Sequence, residues 1–241
     1  MIDAGAPIES FDEVDSTLLE ARRRAERGEA APVWLIAKRQ TAGRGRRGRV
    51  WVSLEGNLLA TYLGPSRRAP AEVALLGFAA ALTIADAVDA TLGHGRSKLK
   101  WPNDVMVDGA KIAGILIDNG GTWFSLAFGV NLASSPKAID QPTISVAEAL
   151  RGAPPKPMQF FARLRPLLEA WCFRLETEGF APLRVAWLAR AYALGEVVGV
   201  AQGDEKVEGR LAGISARGEL ELETPAGLRL IAAGDITTDA D

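Results

Sequence analysis

The sequence predicts an α+β fold: a mixed, mostly antiparallel sheet with flanking helices, followed by a small C-terminal β-barrel. Three observations carry this. Apolar residues recur at helical spacing in several long stretches. β-rich runs lie between them, some joined by tight-turn residues. After Gly195 the helical patterns stop, and short β-type segments alternate with Gly, Asp and Pro turns. With 48% hydrophobic and 24% charged residues among 241, there is enough apolar material for a sizeable core.

In chain order, Phe11–Gly28 reads as a helix, with Asp15-Ser16-Thr17 as cap residues, Leu18 and Leu19 opening the apolar side, and Gly28 as the stop. Val33–Lys38 (VWLIAK) reads as a buried strand. Val50–Val52 and Leu58–Leu63 read as two more, parted by the turn Glu55–Asn57. Ala71–Leu92 carries Val73, Leu76, Ala80, Ile84 and Val88 on one stripe, the mark of a long amphipathic helix. Leu99–Trp101 is a short strand interrupted by Pro102. Val105–Val107 and Ile112–Ile117 flank Asp108-Gly109, a strong hairpin signal. Trp123–Val130 follows the turn Asn119–Gly121. Pro154, Pro155 and Pro157 lead into a helix with Phe160, Leu164, Leu167, Leu168, Trp171 and Leu175 on its buried face. Another helix is expected over Pro182–Tyr192. The segments Val197–Ala201, Val207–Ile214, Glu219–Glu223 and Leu228–Ile231 then form the β-module. Two units are expected, residues 1–193 and 194–241.

The net charge is −2, which argues against a broad nucleic-acid-binding face. Yet Lys38, Arg39, Arg44, Arg46, Arg47 and Arg49 place six of the 28 basic residues within twelve positions, a local anion focus. The single Cys172 excludes an intrachain disulfide and a cysteine-based zinc site. It falls in an amphipathic helix and reads as core. His94, the one histidine, lies in a loop-like GHGRSK. No apolar run reaching the ~18–20 residues of a membrane span is read, and the acidic N-terminus lacks a signal-peptide pattern. A cytoplasmic location is expected.

The stretch Gln40–Arg49, QTAGRGRRGR, satisfies G-x-G-x-x-G at Gly43, Gly45 and Gly48. A dinucleotide fingerprint requires a helix at the third glycine, but β-like RVWVSL follows here. An Arg/Gly nucleic-acid segment is usually a repeated tail with aromatics; this one occurs once, between hydrophobic strands. A solvated turn is the plain alternative, although four close arginines repel one another unless an anion sits among them. An anion-gripping loop, with glycines permitting closure and guanidinium forks holding phosphate or carboxylate oxygens, is the remaining reading.

The second dense stretch is KWPNDVMVDGAKIAGILID, Lys100–Asp118. A hairpin here brings Asn103, Asp104 and Lys111 toward one place, and Gly114 permits close approach of a ligand or strand. The alternative is a simple Pro-Asn-Asp turn with an exposed lysine.

DST (Asp15–Thr17), QTAGRGRRGR, KWPND, GAKIAGIL (Gly109–Leu116) and GVNL (Gly129–Leu132) stand in the order and approximate spacing found in biotin protein ligases. The resemblance runs from about Phe11 to Leu132 and resumes near ALGEVV. It implies the biotin–lipoate ligase fold, related to class II synthetases, with an SH3-like C-terminal barrel. It further implies two reactions: biotin and MgATP form biotinyl-5′-AMP, and a lysine of a biotin carboxyl carrier protein then takes the biotinyl group. Biotin contacts are implied for Ser16, Thr17, Gln40, Gly43, Arg44, Lys111 and Gly114. ATP and adenylate contacts are implied for Arg44, Arg46, Arg49, Trp51, Asn103, Asp104, Lys111 and Asn131. Lys111, Arg44 and Arg46 are the implied catalytic groups. Mg²⁺ is carried with ATP near Asn103, Asp104 and Asn131, and no tightly bound cofactor is expected.

The residues agree with that chemistry. Carboxylate attack on an α-phosphate needs charge neutralisation more than a protein nucleophile, and the sequence has no P-loop and no G-x-S-x-G. One departure is Leu18, where the family often has asparagine. About ten residues precede Phe11, too few for the N-terminal DNA-binding module of some relatives, so no repressor function and no DNA partner are expected; with no spanning run read, no membrane partner is expected either. A homodimer is compatible with an exposed sheet edge. Lipoate–protein ligase, which runs the same adenylation on another acid, is the rival reading. It is followed by a related acyl-adenylating or acyl-transfer enzyme of the same fold, such as an octanoyl transferase, and, from another class, by a non-catalytic small-molecule-binding or nucleic-acid module.

Overall fold

The computed structural model describes residues 2–3, 5–137, 141–202 and 205–237. Its first unit is a seven-stranded sheet. The chain runs β1 (Ile8–Val14), α1 (Thr17–Glu26), β2 (Val33–Gln40), β3 (Leu58–Pro65), α2 (Pro70–Leu92), β4 (Ser97–Lys100), β5 (Asp104–Val107), β6 (Ala110–Asn119) and β7 (Trp123–Val130). The strand order is β1-β2-β3-β7-β6-β5-β4. Only β1 and β2 are parallel; the other neighbours are antiparallel.

Three further helices follow: α3 (Val146–Leu150), α4 (Pro157–Glu178) and α5 (Ala181–Leu188). They join α2 over one face of the sheet. Trp34, Tyr62, Phe128 and Phe161 form the aromatic centre, with Trp34 4.9 Å from Phe161 and 5.2 Å from Tyr62 in edge-on contacts. The other face carries α1, whose Ala21 and Ala25 pack on Leu35, Leu63 and Trp123. Trp34→Ala is expected to destabilise the fold by about 3–5 kcal/mol, the range for emptying a fully buried aromatic site, as read by urea denaturation.

The second unit is a five-stranded antiparallel sheet, ordered β11-β10-β9-β8-β12, with β8 (Val197–Gln202), β9 (Glu205–Ile214), β10 (Leu220–Thr224), β11 (Gly227–Ile231) and β12 (Asp235–Thr237). It docks on the first unit through the Trp101 indole, which donates to the Gly218 carbonyl at 3.1 Å, and through Arg184, which donates to the Ile214 carbonyl.

The predicted α+β class holds, with local corrections. Phe11–Val14 is not helical: it belongs to β1, where parallel pairing with β2 supplies backbone partners that outweigh local helical pattern. The helix starts at Thr17 and ends before Gly28, which takes the left-handed conformation (φ 82°) at its C-terminal stop. Val50–Val52 is not a strand, because its pairing is limited to one bridge between Arg44 and Val50. The predicted helix over Pro182–Tyr192 stops at Leu188, since Arg190 and Tyr192 turn aside to bond both backbone groups of Leu99 and cover the β4 edge. β1, α3 and β12 were not anticipated.

The membrane reading also changes. α2 is long and apolar enough to cross a bilayer by length and composition, with a mean hydropathy of 1.8, but 72% of that window is buried among the sheet and helices. It is the core helix of this fold. β1 is an outer strand whose acids are paired: Asp12 with Lys38, Glu13 with Arg39 and Glu9 with Arg24. A charged edge of this kind resists further strand pairing.

Candidate active site

A row of facing residues crosses six strands of the first sheet. Ala37 pairs with Leu59, Leu59 with Gly129, Gly129 with Gly114, Gly114 with Asp104, and Asp104 with Lys100. This register builds a floor with two glycines at its middle. The Trp51 ring lies across them: a Cβ on Gly129 would sit 2.4 Å from the ring, and one on Gly114 would sit 3.1 Å from it. Only glycine leaves that depth free. The cavity above the floor measures about 510 Å³.

One end of the cavity is polar and neutral. Ser16 and Thr17 stand at the start of α1, beside Gln40 at the end of β2. Gln40 Oε1 accepts from the Thr17 backbone N–H at 2.8 Å and from its hydroxyl at 3.0 Å, while Thr61 donates to the same hydroxyl at 2.8 Å. Ser16 occupies the N-cap position but makes no side-chain cap; Gln40 serves that helix end instead. The expected capping role of this stretch is therefore corrected. Leu18 lines the same end.

The other end is cationic, and a backbone irregularity makes it so. Val105 faces Ala113 but Met106 faces Lys111, so Ile112 is an extra residue in β6. The bulge lets Ile112 and Ala113 both turn to the core. It swings Lys111 onto the face of Gly114, where its amine comes within 3.4 Å of a Cβ built there. Lys111 Nζ lies 2.7 Å from Asp104 Oδ1, outside hydrogen-bond direction, which makes the contact an ion pair. It is also 5.8 Å from the centre of the Trp51 ring. Asn103 is tied to β6 by its Nδ2, which donates to the Ile115 carbonyl at 2.9 Å.

The arginine loop roofs the site. It is a small hairpin: Gly45 N–H donates to the Arg49 carbonyl at 2.7 Å and Trp51 N–H to the Gly43 carbonyl at 3.0 Å, around a 3₁₀ turn at Arg46–Gly48. No α-helix follows, so the dinucleotide reading fails. Arg46 donates to Asn103 Oδ1 at 3.4 Å. Burial draws its guanidinium below the ordinary arginine value, and Asp235 opposes that shift.

Eleven of the thirteen residues singled out from the sequence line this cavity: Ser16, Thr17, Gln40, Arg44, Arg46, Arg49, Trp51, Asn103, Lys111, Gly114 and Asn131. Gly43 lies behind Trp51 and Asp104 lies behind Lys111. Asp104 is thus a partner of the lysine and not a wall of the pocket. Among the described residues, no three His, Cys, Asp or Glu side chains gather as a metal site. Cys172 is buried in α4, and desolvation pushes its thiol up to about 12, which excludes a ready nucleophile. His94 is exposed on its loop.

Four contributors were not predicted from sequence. Lys100, quoted within KWPND without a role, is buried at the cavity edge with its ammonium 5.6 Å from the centre of the Tyr192 ring. Asp235 reaches the cavity from β12. Glu148 clamps the segment beside the pocket by accepting from Ser135, Ser145 and the Ser145 N–H; against the upward push of burial, Lys137 first and then these serine bonds hold its carboxyl down to about 2. Asn57 shapes the turn carrying Asn131: its Oδ1 accepts from the N–H groups of Leu132, Ala133 and Ser134 at 2.9, 3.0 and 3.3 Å, and its Nδ2 lies 3.5 Å from Asn131 Oδ1. Asn57→Ala leaves those donors without their acceptor. A loss of about 1–3 kcal/mol is expected in denaturant unfolding, the cost of unsatisfied buried groups. The signal in sequence was only the EGN turn.

The chain matches the Biotin/lipoate A/B protein ligase family over residues 11–133 and the Biotin protein ligase C terminal domain over residues 193–237. It is 39% identical over 233 residues to the biotin–[acetyl-CoA-carboxylase] ligase of Paracoccus denitrificans, covering 92% of this chain and 96% of that protein. Against the bifunctional ligase/repressor of Bacillus subtilis it is 28% identical over 240 residues, covering 93% of this chain and 72% of the relative. The biotin protein ligase from Aquifex aeolicus, solved with biotin and ATP, superposes with a TM-score of 0.82 at 25% identity, covering 96% and 97% of the two chains. Two successive family matches, the near-full-length likeness and a glycine-floored pocket under an arginine loop agree: the chain belongs to the biotin protein ligases.

Proposed function

We infer that this enzyme activates biotin with MgATP to biotinyl-5′-AMP and transfers the biotinyl group to a lysine of a biotin carboxyl carrier protein. The observation that carries the reading is the polarity of one pocket. Neutral hydrogen-bonding groups (Ser16, Thr17, Gln40) stand at one end, a glycine floor under Trp51 lies in the middle, and cations (Lys111, Arg44, Arg46) stand at the other. That order suits a molecule with a fused ureido ring, an apolar body and a terminal carboxylate.

In the first step a biotin carboxylate oxygen attacks the α-phosphorus of ATP. The bond from that phosphorus to the bridging oxygen breaks, and pyrophosphate leaves. Lys111 lies where the carboxylate and α-phosphate would meet, and it stabilises charge that grows in the transition state. Arg44, Arg46 and Arg49 face the phosphates; Asn103 and Asn131 line the nucleotide side. The two carboxylates at this end, Asp104 and Asp235, are already paired with Lys111 and with the loop arginines, so magnesium entering with the triphosphate would be held chiefly by phosphate oxygens and water. In the second step the acceptor amine attacks the anhydride carbonyl, loses a proton and expels AMP. The arrangement divides as a catalytic unit of residues 1–193 and a β-module of residues 194–241. The passage from α5 to antiparallel strands supports this division, although its outer ends, Met1 and Asp241, lie outside the described residues. A cytoplasmic location is our reading of where ATP and the carrier would be met.

The test is incubation with MgATP and biotin, lipoate or octanoate separately, followed by mass spectrometry for the acyl-adenylate and for a modified carrier lysine. Product with biotin is expected. Product with lipoate alone would transfer the assignment to lipoate ligation.

A further inference from the structure

Thr61 lies beneath the neutral end of the cavity without lining it. On β3 it pairs with Leu35 of β2 and Ala127 of β7, so both of its cross-strand neighbours are apolar. The residue is fully buried, and a buried hydroxyl needs a hydrogen-bond partner. That partner is the Thr17 hydroxyl, at 2.8 Å.

The donor and acceptor of every bond in this relay are forced. A backbone N–H can only donate, so the Gln40 atom 2.8 Å from the Thr17 nitrogen is the carbonyl oxygen, Oε1. That oxygen can only accept, so the Thr17 hydroxyl, 3.0 Å from it, commits its one proton there. Thr17 has no proton left for Thr61, and Thr61 must be the donor of their bond. Two consequences reach the cavity, which Thr17 and Gln40 both line. Thr17 meets a ligand only as an acceptor, through its remaining lone pair. Gln40 meets one only as a donor, through Nε2, whose hydrogens meet no acceptor among the described residues.

We propose that Thr61 is a positioning residue for biotin: by donating to Thr17 it fixes that hydroxyl as an acceptor toward the cavity, beside the donor side of Gln40. This rests on the biotin-ligase reading above. A cyclic urea offers the matching pair, an N–H for Thr17 and a carbonyl for Gln40. The dithiolane of lipoate offers neither. Without the Thr61 hydroxyl, that of Thr17 is free to turn, and its proton can then oppose the ligand N–H it should accept from.

The test measures biotin binding by calorimetry on the full-length protein, on Thr61→Val, which keeps the branched shape without the hydroxyl, and on Thr61→Ser, which keeps the hydroxyl. Thr61→Val is expected to weaken biotin binding about three- to tenfold, the factor set by one neutral hydrogen bond. Its KM for ATP in adenylation should stay within about twofold, and Thr61→Ser should bind biotin within about twofold of the parent. Thr17→Val tests the route: adding Thr61→Val to it should weaken binding no further, because Thr61 acts through that hydroxyl. Equal biotin affinity in the parent and Thr61→Val would overturn the proposal. So would additive losses in the double variant, or an equal weakening toward biotin and ATP, which would make Thr61 a purely structural residue. If Thr61→Val does not fold, as read by circular dichroism, Thr61→Ala supplies the same loss of donor. A parent that binds no biotin would sink the ligase reading and the proposal with it, so the two failures are distinguishable.

Discussion

Lys111→Ala is expected to slow formation of biotinyl-AMP by about 10²-fold or more, the scale of losing one preorganised charge-stabilising group. Pyrophosphate release in single turnover measures it. The structure adds a complication: the substitution also takes away the lysine amine that lies 2.7 Å from Asp104, a carboxylate behind the pocket. With that positive charge gone, the carboxylate's repulsion of biotin and ATP is less offset. The double variant Lys111→Ala/Asp104→Asn separates the effects. If Lys111 stabilises the transition state, the double variant stays slow. Recovery to the parent rate, or a parent-like rate in the single variant, would remove the lysine from the chemistry.

Arg46→Gly is expected to let biotinyl-AMP escape. Arg46 is the arginine held deepest between Asn103 and Asp235 at the cavity mouth. A charge-assisted hydrogen bond contributes about 1.5–3 kcal/mol, and each ~1.4 kcal/mol is tenfold in affinity. Adenylate release should therefore rise by at least about tenfold, seen as biotin on lysines of an unrelated protein added to the reaction. Glycine also loosens the backbone, so Arg46→Gln, which keeps a side-chain stem, isolates the guanidinium. Both variants should leak. Labelling confined to the carrier lysine in both would show that retention resides elsewhere in the loop.

The two predictions concern residues whose type was legible in the sequence and whose placement was not. QTAGRGRRGR announces an anion site through charge crowding alone, because four neighbouring guanidiniums require a counter-charge wherever they fold. What it meets cannot be inferred locally. Asp235 lies some 190 residues away on a strand too short to stand out from the turns around it. Asn57 was similarly hidden: a turn asparagine usually serves its own neighbours, whereas here it organises the chain after β7. The segment Phe11–Val14 was misread because β1 is a largely exposed, acid-rich strand without an apolar run, and its parallel pairing with β2 is a non-local interaction.

By itself the sequence determined the α+β class, the long core helix, the Asp108-Gly109 hairpin and the chemical character of the site. Those follow from side-chain periodicity, from turn residues with positive φ at both central positions and from local charge. Only the tertiary structure decided which face Lys111 presents. It shares the alternation of Ala113 and Ile115, which point into the core, and an unbroken strand would bury it there. One extra residue at Ile112 reverses that assignment. Side chains alternate every residue along a strand, so a single bulge moves the Lys111 amine from the core to the pocket.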